Sequence, residues 1–164
     1  MRLGEEVNQA TLKQLAPDAV VVAVGGLPAM PAIPGVENEK IVVSASKLHE
    51  KLKKALKWLG PKSLEQATRL WMPVGKKVVV IGGSVQGCQL AEFLVKRGKE
   101  VTIVDENPNL GEGLLAEDPF RLFPWFEQKG VAMFAGVKYE RITDKGLEVT
   151  TREGKKITLK GDSI

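Results

Sequence analysis

The stretch that decides the fold is V-V-V-I-G-G-S-V-Q-G, residues 78–87. Its first half is apolar and β-branched without interruption, which is how a strand buried on both faces of a parallel sheet reads. Two glycines end the run, and a helical pattern opens at once through Val85, Cys88, Ala91 and Val95 to Gly98. Val101 to Val104 then forms a second buried strand. Strand, glycine turn, helix and strand together make a βαβ unit of about thirty residues.

A turn of this kind has a chemistry. In G-x-G-x-x-G the first glycine makes the tight turn, the second lets backbone amides approach a pyrophosphate, and the third lets helix and strand pack closely. The helix start adds N–H groups and the positive end of its dipole. Gly82 and Gly87 hold the first and third places, and Ser84 stands at the second. The candidate phosphate-side residues are therefore Gly82, Gly83, Ser84, Val85, Gln86 and Gly87. Asp105 ends the second strand twenty-three residues after Gly82. A carboxylate there accepts hydrogen bonds from an adenosine ribose and repels a 2′-phosphate. Asp105 and its neighbour Glu106 are the candidate ribose-side residues. No Lys or Arg lies in Glu106-Asn107-Pro108-Asn109, so the reading favours NAD(H) over NADP(H).

Downstream, residues 116–128 read as a further helix and Val131 to Phe134 as the next parallel strand. Tyr139–Thr143, Leu147–Thr151 and Lys156–Leu159 read as an antiparallel meander, with turns at Asp144-Lys145-Gly146 and Glu153-Gly154. Gly161 to Ile164 is where another buried strand starts. Upstream, D-A-V-V-V-A-V (residues 18–24) reads as a buried strand ended by Gly25-Gly26. The stretch L-P-A-M-P-A-I-P-G (residues 27–35) is a stiff extended connection that cannot be helix. Ile41 to Val43 is a short strand or the end of that linker. Leu48, Leu52, Leu56 and Leu59 make an amphipathic helix over 46–59, and Ser63 with Gln66 forms a capping box that opens a second helix to about Trp71.

Composition narrows the chemistry. The 164 residues are 43% hydrophobic and 27% charged, as in an ordinary globular protein with a core. No stretch approaches the roughly 18–20 apolar residues that span a bilayer, and no basic-then-apolar leader opens the chain, so a cytoplasmic location without membrane contact is expected. One cysteine, Cys88, and one histidine, His49, exclude an internal disulfide, a CxxC pair and most metal or nucleophile–histidine schemes. Cys88 reads as a small core residue, His49 as a surface residue, and Trp58, Trp71 and Trp125 as packing anchors. Residues 44–77 hold nine Lys or Arg against Glu50 and Glu65. Without aromatic or Arg-rich interleaving this is a solvated helix face, and nucleic acid is not expected as a partner.

At these residues the chain resembles the pyridine nucleotide–disulfide oxidoreductase superfamily. More narrowly, it is similar to the carboxy-terminal region of fused NADH:flavin oxidoreductases related to 2,4-dienoyl-CoA reductase and trimethylamine dehydrogenase. D-A-V-V-V-A-V-G-G with P-A-I-P-G, the turn-and-helix stretch G-K-K-V-V-V-I-G-G-S-V-Q-G-C-Q-L-A-E-F-L, and G-K-E-V-T-I-V-D carry the likeness, over about residues 18–105. The resemblance implies an α/β chain with a Rossmann-like parallel sheet flanked by helices and an antiparallel meander, a fragment of a two-dinucleotide-binding-domain architecture. Residues 1–40 would be a remnant of an FAD-binding domain, with Gly25 and Gly26 near the flavin. Residues 41–164 would be the NAD(H)-binding domain, with a helical excursion at 46–72. It also implies that the FAD site lies mostly outside this chain, that FMN and a 4Fe–4S cluster belong to an absent amino-terminal part, and that the remainder of the parent flavoprotein is the partner.

The chain departs from the family at Val24, where Thr is usual, and at Gln89, where Glu is common. With Ser84 they set the alternative: a non-catalytic nucleotide-binding or docking module whose site has drifted. No general acid, base or nucleophile can be named.

Overall fold

The computed structural model describes residues 3–25, 29–55, 57, 63, 67–68 and 71–164. Three parallel strands, β1 (Lys77–Ile81), β2 (Glu100–Asp105) and β3 (Ala132–Ala135), form one sheet with β2 in the middle. Because side chains alternate along a strand, each strand feeds two cores. Val78, Val80, Val101 and Ile103 face a cluster with Cys88, Ala91, Leu94, Leu122 and Phe126. Val79 and Val104 face a second cluster with Ile33, Ile41, Leu147, Val149 and Leu159. The uninterrupted apolar runs of the sequence are thus explained by cover on both sides.

We number the helices α1 (Gln9–Leu15), α2 (Ala45–Ala55), α3 (Val85–Val95) and α4 (Asp118–Gln128). α3 connects β1 to β2 and presents Cys88, Ala91 and Leu94 to the sheet. α4 precedes β3 and buries Leu122 and Phe126 beside them. Its internal Pro124 gives up one backbone donor on the exposed side of the helix. Glu92 joins the two helices, accepting from Lys96 Nζ at 2.8 Å and Arg121 Nη1 at 3.1 Å. Both cations hold its carboxyl below the usual range, the Lys96 hydrogen bond most strongly.

The meander is β4 (Lys138–Thr143), β5 (Gly146–Thr150) and β6 (Lys156–Lys160), antiparallel with β5 central. It covers the sheet face opposite the helices through Leu147, Val149 and Leu159. After β6 the chain returns to the free edge of β1: Val79 N–H donates to Ser163 O (2.9 Å), and Ser163 pairs in parallel with Val78. The side chains of Asp162 and Ser163 accept from the Lys77 and Gly75 amides, fixing the start of β1. Ile164 and the 41–43 segment then exchange bonds, Ile164 N to Ile41 O and Val43 N to Ile164 O. The linker lies against this unit as well, with Ile33 buried and the Ile142 amide donating to Pro34 O.

Residues 18–24 differ from the strand read in the sequence. They form no strand and have no ladder partner among the described residues, and Val20, Val21, Val22 and Val24 are 56–89% exposed. A β-branched run favours extended backbone, but a strand exists only when a neighbour takes its N–H and C=O groups. Trp71 is half exposed rather than a packing anchor, while Trp125 packs on Phe126 with ring centres 5.6 Å apart. Trp58 and the Ser63–Gln66 capping box lie wholly or partly outside the described residues; Ser63, Ala67 and Thr68 have helical backbone. Thr68 is buried and accepts from Arg97 Nε at 2.8 Å, tying that segment to the end of α3. No helix among the described residues is long and apolar enough to cross a membrane.

Two consequences are measurable. A Cβ on Gly87 would stand 1.8 Å from Gly82 O, a fixed backbone atom. Gly87→Ala is expected to cost about 1–3 kcal/mol, read as a lower urea midpoint. Cys88 is fully buried, its thiol donates to Gly83 O at 3.3 Å, and burial pushes the thiol pKa up. It is expected to ignore a disulfide reagent in the native protein at neutral pH and to react stoichiometrically once urea unfolds the chain.

Candidate dinucleotide site

The turn between β1 and α3 has the geometry its glycines require. Gly82 takes φ +101°, a region that side chains rarely adopt, and Gly87 sits where only a hydrogen fits against Gly82 O. Ser84 is the N-cap of α3 with extended backbone; its side chain is exposed and makes no capping bond. The serine Cβ therefore lies towards solvent and does not fill the turn. The first intrahelical bond is Cys88 N–H to Ser84 O at 2.9 Å, so the amides of Val85, Gln86 and Gly87 precede it and have no carbonyl one turn below. Val85 N–H is accepted by Glu112 O at 3.1 Å.

Asp105 is coupled to this turn directly. Its Oδ2 accepts from Gly83 N–H at 2.5 Å and its Oδ1 from Asn107 N–H at 2.8 Å. A carboxylate has about four lone-pair positions, so each oxygen keeps one for a further donor. The loop after β2 folds back over the turn. Gly111 N–H donates to Gly83 O (2.6 Å), and Asn107 Nδ2 to Glu112 Oε2 (2.7 Å). Asn107 O accepts from Gly136 N–H at the end of β3. Glu106 is exposed beside Asp105.

On the opposite flank of β1 lies a mainly apolar cleft of about 250 Å³. Met30, Val43, Leu48, Ser84, Gln86 and Leu90 are among the residues that line it. The turn thus stands between a held carboxylate and an apolar cleft to which the linker and α2 contribute. These residues fit a dinucleotide: anion-facing amides at the turn, a hydrogen-bonding acid on one side and room for a flat ring on the other. They form no comparable cradle for a flavin. Gly25 ends the exposed 18–24 run with nothing within 4 Å of where a Cβ would stand, and Gly26 lies outside the described residues.

The structure brings Gly82–Gly87 and Asp105 together in space, with Val85 and Gln86 at the helix start. The sequence reading misses Asn107 and Glu112, whose signal is the Gly111 and Gly113 pair that lets the loop turn back. Arg152, remote in sequence, lies beside Pro108 and Gly136. The basic segment forms surface pairs, Lys47 with Glu39, Lys54 with Glu50 and Lys76 with Glu100, consistent with a solvated face. His49 is exposed. No group of three or more His, Cys, Asp or Glu among the described residues is placed to hold a metal ion.

Comparison with known proteins gives the family. The NADH oxidase of Thermoanaerobacter brockii is 26% identical over 167 residues, covering 100% of this chain and 23% of that protein. The bilirubin reductase of Mediterraneibacter gnavus (strain CC55_001C) is 30% identical over 159 residues, covering 94% of this chain and 21% of that protein. Among solved structures, a 2-naphthoyl-CoA reductase complex superposes with a TM-score of 0.67 at 27% identity, covering 99% of this chain and 22% of that one. The chain therefore spans less than a quarter of the length of each of these relatives. The family model for pyridine nucleotide-disulphide oxidoreductases matches residues 3–164, and the chain belongs to that family.

Proposed function

We propose that this chain is the NAD(H)-binding part of a flavin-dependent NADH oxidoreductase, holding NADH for hydride transfer to an FAD bound mainly by sequence outside it. The observation that carries the reading is the bond from Gly83 N–H to the Asp105 carboxylate, which fixes the phosphate turn and the ribose acid as one rigid unit. The Gln86 and Gly87 amides face the pyrophosphate, Asp105 takes the adenosine ribose hydroxyls, and the nicotinamide half lies toward the apolar cleft. Bound NADH supplies the hydride, and the protein supplies orientation and electrostatics. The likeness to a CoA-thioester reductase structure supports a place in a fused reductase, with residues 1–40 contributing to the flavin side. On its own the chain is expected to bind the dinucleotide without turning over substrate.

A second reading, a docking module with a drifted site, is favoured by one observation: the Val85 amide at the helix start is already taken by Glu112 O. Calorimetric titration of NADH into the chain separates the two. Saturable binding is expected, weakened about tenfold in Asp105→Asn, the equivalent of about 1.4 kcal/mol, with thermal stability nearly kept. No heat of binding, in the parent or in Ser84→Gly, would leave the docking reading in its place.

A further inference from the structure

The preference for NADH over NADPH rests, in the sequence, on the absence of a cation from residues 106–109. The fold supplies one from elsewhere. Arg152 stands in the turn between β5 and β6, and its Nη2 donates to Pro108 O at 2.7 Å, across forty-four positions of sequence. Its guanidinium packs on Gly136, where a Cβ would stand 2.1 Å from Nε. Gly136 is one step from Ala135, the residue paired with Asp105 in the sheet, and Val137 N–H donates to Asp105 O at 3.1 Å. Arg152 therefore bridges the loops that leave β2 and β3, on the two segments that directly follow Asp105 and its sheet partner Ala135. Those loops form the crevice at the carboxyl ends of the strands, where ligands of such sheets bind.

How Arg152 is held differs from how its counterparts are held. Arg121 and Arg141 are engaged by the carboxylates of Glu92 and Glu148, at 3.1 and 2.8 Å. Arg152 is exposed and has no carboxylate within 4 Å among the described residues. One of its five N–H donors is spent on a carbonyl, and the neighbouring Glu153, which feels its charge, forms no ion pair with it and accepts instead from Thr151 Oγ1 at 2.6 Å. The remaining fork is the shape that a phosphate monoester accepts bidentately. Asp105 cannot swing aside to admit such a phosphate, because both of its oxygens are tied to backbone amides.

We propose that Arg152 sets the cofactor specificity of this site by offering a cation to the adenosine 2′-phosphate, so that the exclusion of NADPH by Asp105 is partial. The proposal rests on the dinucleotide reading above. Titrations of NADH and NADPH into the parent chain, Arg152→Ala, Arg152→Lys and Gly136→Ala test it, with thermal melting to confirm that each variant is folded. The expected result is that Arg152→Ala weakens NADPH about tenfold and NADH less than twofold. Arg152→Lys should recover most of the NADPH affinity. Gly136→Ala, which pushes the guanidinium out of its place, should follow Arg152→Ala. If NADH binds throughout and the NADPH-to-NADH ratio does not move in Arg152→Ala, or both cofactors weaken equally, Arg152 is only a loop brace and the proposal is wrong. If neither cofactor binds the parent, the dinucleotide reading fails and the proposal falls with it.

Discussion

The site depends on one hydrogen bond, from the Gly83 amide to the carboxylate at the end of β2. Gly83 is buried in the turn, and an amide left there without a partner would cost about 1–3 kcal/mol. Asp105 removes that cost and in return is held in one orientation. The same residue closes the following loop through Asn107, so the turn, the strand end and the loop form a single frame. Gly83 O is satisfied just as fully, by the Gly111 amide and the Cys88 thiol. Nothing in this frame needs a ligand to assemble, which is the condition for a preformed anion site.

The frame is stiff because the layers beneath it are. β1 and β2 place alternate side chains into two separate cores, so neither strand can slip by one residue without exchanging helix-facing and meander-facing sets. Gly87 brings α3 against β1 at the point where the helix-start amides emerge. The return of residues 162–164 along β1 and their exchange of bonds with 41–43 close the other edge, and that edge forms the wall of the apolar cleft. Both flanks of the turn are thus built from segments far apart in sequence.

This explains what was legible beforehand. The glycine turn, α3, β2, the meander and the Asp105 placement could be read because each is encoded within a window of about thirty residues, by periodicity and turn chemistry. The β-branched composition of 18–24 predicts a strand, but composition records the environment a segment suits and does not supply the neighbouring strand. Glu112 and the cleft-lining Met30 and Leu48 reach the turn, and Arg152 reaches Pro108, only through tertiary folding. Residues 106–109 carry no cation, and the guanidinium beside Pro108 is delivered by a hairpin turn.

The central claim is that the Gly83–Asp105 frame is where a dinucleotide binds. The most direct test is a titration of NADH into isotope-labelled chain, following backbone amide resonances. The account predicts saturable shifts concentrated at Gly82 to Gly87 and at Asp105 to Asn107, with the solvent-facing lysines of α2 unchanged. Shifts confined to α2 and its basic face, or no saturable shift at the turn, would contradict it.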